Sequence, residues 1–143
     1  MKKIVILLVL VINLIASVTK IEKEIYSTIL KALFPQKKII KIWVDNHHKK
    51  KLFRKINLVK LTNNYKNADI LFVYNTKTLK DEKRDKAIIF VGKYTLLKDY
   101  QDRVIGGFFW QKGRPNIIFL RKNLEKFNIT LPSNFEKYIE DRV

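Results

Sequence analysis

Two apolar stretches indicate the class of fold: ADILFVY at residues 68–74 and KAIIFVG at residues 86–92. Both are hydrophobic without the alternation of a strand that has one face in water, so each is typical of a strand covered on both faces. The charged residues 76–85 between them are long enough for a helical crossover. Such a pair of strands predicts parallel neighbours in an α/β sheet.

The flanking sequence supplies the remaining elements by hydrophobic period, turn residues and caps. On the N-terminal side we expect a helix at residues 20–34, a strand at 38–44, a helix at 47–56 and a short strand at 58–61. On the C-terminal side we expect a short helix at 94–100, strands at 104–110 and 116–120, and helices at 121–127 and 135–141. The sequence therefore predicts a single three-layer α/β domain with a mostly parallel central sheet.

The two C-terminal strands are predicted to form an antiparallel β-hairpin on one edge of the sheet. They are joined by Gln111-Lys112-Gly113-Arg114, with Pro115 closing the link. Gly106-Gly107 inside the first of these strands indicates a bulge or a close backbone approach. We therefore interpret Gly106, Gly107 and Gly113 as structural glycines.

The first seventeen residues read as a secretory signal peptide. Lys2-Lys3 is a basic head, residues 4–15 are apolar except for Asn13, and Ala16-Ser17 supplies small residues for cleavage. The apolar run ends early for a spanning helix, which needs roughly 18 to 20 residues. We expect cleavage near Ala16-Ser17 and a periplasmic domain at 18–143; retention as an N-terminal anchor is the alternative.

Composition agrees with export and favours anionic partners. The chain has 30 Lys and Arg against 13 Asp and Glu, and it has no cysteine. Without disulfides the domain must be held by packing alone, which suits a bacterial periplasm better than a eukaryotic exterior. The positive field attracts anions, acidic proteins or lipid headgroups, although scattered lysine also fits a biased proteome. No specific nucleic acid is expected for an exported chain.

The hairpin carries the densest set of candidate partner-binding residues. Because side chains alternate along a strand, Phe108 and Trp110 share one face and Phe109 takes the other. Aromatic residues beside arginine are common anchors of protein interfaces. The predicted partner-binding residues are Trp110, Lys112, Arg114 and Phe109, although burial of the aromatic residues in the core is the alternative.

A second candidate surface is basic, and no catalytic or metal site is expected. Lys49, Lys50, Lys51 and Arg54 fall in one predicted helix as an anion-binding patch or a solvated face. His47-His48 beside Asp45 lacks the spacing of metal ligands. With no nucleophile motif or carboxylate constellation, we expect neither enzyme activity nor a cofactor.

The order of these elements resembles the YfiR-like periplasmic regulators. The resemblance is carried by the export signal, the ADILFVYN and AIIFVG strands and the GGFFWQKGRPNIIFL hairpin before a C-terminal helix. It implies a protein that binds the periplasmic part of an inner-membrane signalling protein, such as a diguanylate cyclase or sensor kinase. The best known members carry disulfide cysteines, which this chain lacks, so redox control is not implied.

Two functions follow as expectations. The first is an exported regulatory or sensory accessory that docks onto an inner-membrane signalling protein. The second is a small anionic-solute-binding protein for a transporter or sensor, with Arg or Lys holding the ligand near the strand ends. A homodimer is compatible with either.

Overall fold

The computed structural model describes residues 2–143, and their side chains apart from those of residues 2–7, 9–11 and 13. The helices are α1 (Lys2–Leu33), α2 (His47–Arg54), α3 (Thr76–Asp81), α4 (Tyr94–Asp99) and α5 (Arg121–Lys126). The strands are β1 (Ile40–Val44), β2 (Val59–Leu61), β3 (Ile70–Val73), β4 (Ile89–Val91), β5 (Gly106–Gln111), β6 (Arg114–Leu120) and β7 (Ile139–Glu140). Two 3-10 helices span Tyr65–Asn67 and Ser133–Tyr138.

All seven strands form one sheet in the order β2-β1-β3-β4-β5-β6-β7. The β5–β6 pair is antiparallel and every other pair is parallel. The predicted α/β class, with a mostly parallel sheet and a C-terminal antiparallel hairpin, is therefore confirmed. The first five strands follow the doubly wound order 2-1-3-4-5, in which the direction of winding reverses between β1 and β3.

Apolar residues on the two faces of the sheet form two hydrophobic cores. On one face, α1 and α2 pack over inward side chains such as Ile42, Phe72 and Phe108. On the other face, Leu79 of α3 and Leu97 of α4 join the second cluster. All four residues of β3 are buried, as the continuous hydrophobicity of that stretch predicts.

The first helix is much longer than the expected one at residues 20–34. Its C-terminal half contributes a stripe of buried residues at spacings of three and four: Tyr26, Ile29, Leu30 and Leu33. The helix continues without a break to Lys2, so the predicted cleavage site at Ala16-Ser17 lies inside it. Among the residues that the structure describes, no helix combines the length and hydrophobicity needed to cross a membrane.

The hairpin turns through two residues, Lys112 and Gly113, with φ of 51° and 73°. A two-residue turn with positive φ at both central positions has the twist that matches the twist of the paired strands. The strand register is unbroken at Gly106, which pairs with Phe119, and Gly107, which pairs with Ile118. A Cβ on Gly106 would lie 2.3 Å from the Ile118 carbonyl oxygen. The glycine pair thus permits close backbone approach and makes no bulge.

The predicted helix at residues 135–141 is wrong. The chain forms the 3-10 helix Ser133–Tyr138 and then β7, whose Ile139 pairs in parallel with Phe119 of β6. Local sequence favours a helical turn here, but a distant strand supplies partners for the backbone of the last residues. The hairpin is consequently flanked by β7 and is not the edge of the sheet along its whole length.

Candidate docking site

The carboxyl ends of β1, β3 and β4 meet at one edge of the sheet because these strands are parallel. We name it the carboxyl edge. In doubly wound sheets, ligands bind at this edge, at the point where the winding reverses. Here that point lies between Asp45, which follows β1, and Tyr74-Asn75, which follow β3.

The crevice at that point is closed by the chain's own carboxylate. Asp45 Oδ1 accepts a hydrogen bond from the Tyr74 N–H at 2.8 Å. Asp45 Oδ2 accepts from the Asn75 N–H at 3.0 Å and from the Thr78 hydroxyl at 2.8 Å. These donors face the position where a bound anion would lie, so Asp45 already satisfies them.

A pair of buried tyrosines lies behind the carboxyl edge. The hydroxyls of Tyr26 in α1 and Tyr74 are 2.6 Å apart. The Tyr74 ring lies against Gly92, where an added Cβ would be 2.0 Å from its Cε1. Burial raises the pKa of both hydroxyls well above the ordinary value, because the ionised form would lose its hydration. The pair therefore joins α1 to the strand ends as a neutral hydrogen bond.

Glu22 is a buried carboxylate that joins three elements. Its Oε1 accepts a hydrogen bond from Trp110 Nε1 at 2.8 Å, and its Oε2 pairs with Lys49 Nζ at 2.7 Å. The contacts link α1 to the hairpin and to α2. A buried carboxylate with two partners of this kind orients both side chains that donate to it.

The hairpin tip presents two different faces. Its inner face carries Trp110, which is 36% exposed and fixed to Glu22. On the opposite face, Gln111, Arg114 and Asn116 line a shallow depression of about 410 Å³, together with Lys112 at the turn. We name this second face the outer face of the hairpin.

The structure separates the four predicted partner-binding residues. Trp110, Lys112 and Arg114 are exposed at the tip. Phe109 is not available to a partner: it is only 6% exposed, and its ring centroid lies 5.5 Å from that of Tyr94 in α4. Strand alternation turns Phe109 to the face that α4 covers, which corrects its assignment to the interface.

The predicted basic patch on α2 is also divided. Lys49 does not belong to the basic patch, because it faces α1 and forms an ion pair with Glu22. Lys50 is half-buried, whereas Lys51 and Arg54 are exposed. His47 and His48 are exposed at the start of α2, where the Asn46 side chain caps the helix by accepting from the Lys49 N–H at 3.0 Å. In the described part of the chain, no group of three or more acidic or histidine side chains could hold a metal ion.

Sequence reasoning missed Glu22. The available signal was its position on the buried stripe of α1, four residues before Tyr26 and seven before Ile29. A carboxylate on such a stripe requires a partner. The sequence alone could indicate that need, but Trp110 is 88 residues away and could not be identified from it.

Comparison of the chain with protein-family models, curated proteins and solved structures finds no match. The resemblance to the YfiR-like regulators therefore stays a prediction.

Proposed function

We propose that this protein is an exported, non-catalytic accessory that binds the periplasmic part of an inner-membrane signalling protein, a diguanylate cyclase or a sensor kinase. The proposal rests on the arrangement of side chains at the hairpin tip. Its inner face is fixed to the domain through Glu22, while the outer face leaves Gln111 and Arg114 exposed and Asn116 half-buried.

The hairpin is suited to docking because it is already ordered. The two-residue turn and the Trp110–Glu22 hydrogen bond hold the backbone and one large side chain before any partner arrives. Less conformational entropy is then lost on binding. Arg114 adds a planar group of hydrogen-bond donors that fits carboxylates on an acidic partner, in keeping with the chain's net charge of +17.

The carboxyl edge supports a non-catalytic role. Asp45 is bonded to three donors between β1 and β3, so these donors are not available to a substrate. A groove beside α3 has about 220 Å³ and is lined by Thr78, by aromatic and apolar residues and by the acidic Asp81 and Glu82. Such a lining disfavours an anion.

The outer face is also where the alternative function would reside. Lys112 and Arg114 beside the polar depression could hold a small anionic solute for a transporter or sensor. Docking of a protein is favoured because the depression is shallow and open, whereas small-molecule sites enclose most of their ligand.

The test is capture from detergent-solubilised membranes by the tagged full chain, with identification of the captured protein. We expect a membrane protein with a cyclase or kinase domain. Replacing Gln111 and Arg114 together by alanine should reduce capture by more than tenfold, the scale of an interface hot spot. The control replaces Lys83 and Lys86, exposed residues away from the hairpin, by alanine; it removes one more positive charge than the test variant and should leave capture unchanged. Equal capture by both variants would contradict docking through the outer face.

A further inference from the structure

We infer that the hairpin tip and the N-terminal half of α1 hold the carboxyl edge of the domain on an anionic lipid surface. This inference goes beyond the proposed function, and the two share only Lys112 at the turn and the Trp110–Glu22 contact. It rests on the inner face of the hairpin and on α1, whereas partner docking rests on the outer face.

The hairpin and α1 run side by side, as two contacts demonstrate. The rings of Phe108 and Tyr26 have centroids 5.1 Å apart, and Trp110 bonds to Glu22. From Phe108 to Trp110 the strand advances about 6.6 Å, and from Tyr26 to Glu22 the helix rises about 6 Å. The turn lies two residues beyond Trp110, so it is level with about Val18 of α1.

N-terminal to Val18, large apolar side chains of α1 are exposed to solvent. Leu8, Ile12, Leu14 and Ile15 are between 57% and 66% exposed. We name residues 8–18 the apolar arm. Helix α1 continues from Val18 to Lys2, so the part beyond Val18 is about 25 Å long, shorter than a bilayer's apolar core of about 30 Å. Exposed apolar surface of this kind marks a membrane or protein contact.

The charges at the base of the apolar arm select lipid as the occupant. Lys20, Lys23 and Lys112 are exposed at this level. Glu24 is the exposed carboxylate beside them, whereas the carboxylate of Glu22 is buried and paired, so the local balance is positive. Trp110 lies among them with its ring partly exposed. Tryptophan at the boundary of an apolar segment, surrounded by basic residues, is the arrangement that contacts interfacial and anionic headgroups.

The inference requires that the arm stays on the folded protein. Helix α1 passes through Ala16-Ser17 without a break, so the arm continues a helix whose other half belongs to the core. Intact mass of the purified, membrane-associated chain should include the arm. A mass that begins at Ser17 or Val18 would overturn the inference and leave the proposed partner docking untouched.

The binding test is co-flotation of the full chain with two kinds of vesicle. One contains phosphatidylcholine alone, and the other contains in addition roughly one part in three of phosphatidylglycerol. We expect binding to the anionic vesicles to be more than tenfold tighter and to weaken as salt is added. Equal binding to both kinds of vesicle would overturn the inference. A stable dimer that binds neither kind would also overturn it, because a second copy of the chain would then cover the arm.

Two variants with the same change in net charge separate a local contact from the general positive field. The first carries Lys20→Glu, Lys23→Glu and Lys112→Glu; the second carries Lys55→Glu, Lys83→Glu and Lys86→Glu, at exposed positions away from the arm. We expect the first to lose more than tenfold in affinity for anionic vesicles and the second to lose less than about twofold. Equal losses would mean that the whole molecule's charge, and not this edge, binds lipid.

The position of Trp110 gives an independent readout. In a Trp43→Phe background it is the sole tryptophan, because the chain has two. Brominated lipids should quench its fluorescence when the protein binds, and quenching should be absent if Trp110 faces away from the bilayer. Partner capture is measured in detergent, where no bilayer remains, so failure of one proposal is distinguishable from failure of the other.

Discussion

Trp110 Nε1 donates a hydrogen bond to Oε1 of Glu22 at 2.8 Å, which ties the hairpin to a helix 88 residues earlier in the chain. The same carboxylate binds the ammonium of Lys49 in α2. One buried acid therefore sets the position of the hairpin relative to both helices on this face of the sheet.

Replacement of Glu22 by alanine should lower the free energy of unfolding by about 2 kcal/mol, because it leaves the Trp110 N–H and the Lys49 ammonium without their acceptor. Trp110→Phe, which removes only the donor and part of the ring, should cost about 1 kcal/mol. Urea unfolding of both single variants and the double variant should give a coupling energy of about 1 kcal/mol. If the losses in unfolding free energy of the two single variants simply add in the double variant, the hydrogen bond contributes nothing. The control is Glu24→Ala, at an exposed position of the same helix.

Stability should fall as pH rises above 10.0, the ordinary pKa of tyrosine. Burial raises the folded-state pKa of Tyr26 and Tyr74, so above pH 10 the unfolded state releases protons that the folded state retains. Each tyrosine should contribute a slope of about 1.4 kcal/mol per pH unit between its unfolded and folded pKa.

Variant proteins isolate this effect from the titration of lysines in the same range. In the Tyr26→Phe, Tyr74→Phe double variant, the fall in stability above pH 10 should be shallower than in the parent protein. Absorbance at the tyrosinate band should show that these two of the six tyrosines ionise only as the protein unfolds. An unchanged slope in the double variant would contradict the predicted pKa shifts.

Gly106→Ala should destabilise the hairpin by about 3 kcal/mol, since its Cβ would meet a backbone oxygen, the Ile118 carbonyl, at 2.3 Å. Gly113→Ala has open space around it but a φ of 73°, so it should cost only about 1 kcal/mol. Thermal melts of the two variants test this order. If Gly113→Ala lowers the melting temperature more than Gly106→Ala does, backbone strain in the turn costs more than the steric clash between the strands.

Asp45→Ala should cost about 3 kcal/mol because three donors at the strand ends would lose their acceptor. Asp45→Asn keeps the size of the side chain and should cost less. The exposed Asp99→Ala serves as a control for loss of a negative charge. If Asp45→Ala unfolds like the control, water replaces the carboxylate in the crevice and the crevice is more open to ligands than we infer.

Most helices and strands of the sheet were predictable because their signals are local. The unbroken hydrophobicity of β3 and β4 indicated strands buried on both faces, and Lys112-Gly113 lies at the centre of the predicted link between the hairpin strands. Alternation along β5 predicted that Phe108 and Phe109 point to opposite faces. These features depend only on residues within a few positions of one another.

The site depended on contacts between distant segments. Lys49 was expected on a basic surface and instead neutralises Glu22, and Phe109 was expected at an interface and is covered by α4. Neither outcome can be read from periodicity, because it depends on which helix covers a given face of the sheet.

The sequence by itself determined the α/β class, the strands β1 to β6, the hairpin turn and the excess of positive charge, since these follow from composition and from short-range order. Only the tertiary structure decided the order of the strands, the pairing of β7 with β6, the closure of the crevice by Asp45 and the fixing of Trp110 by Glu22. Each of these joins residues far apart in the chain, and a hydrogen bond or ion pair forms only when the whole fold brings its donor and acceptor within about 3 Å.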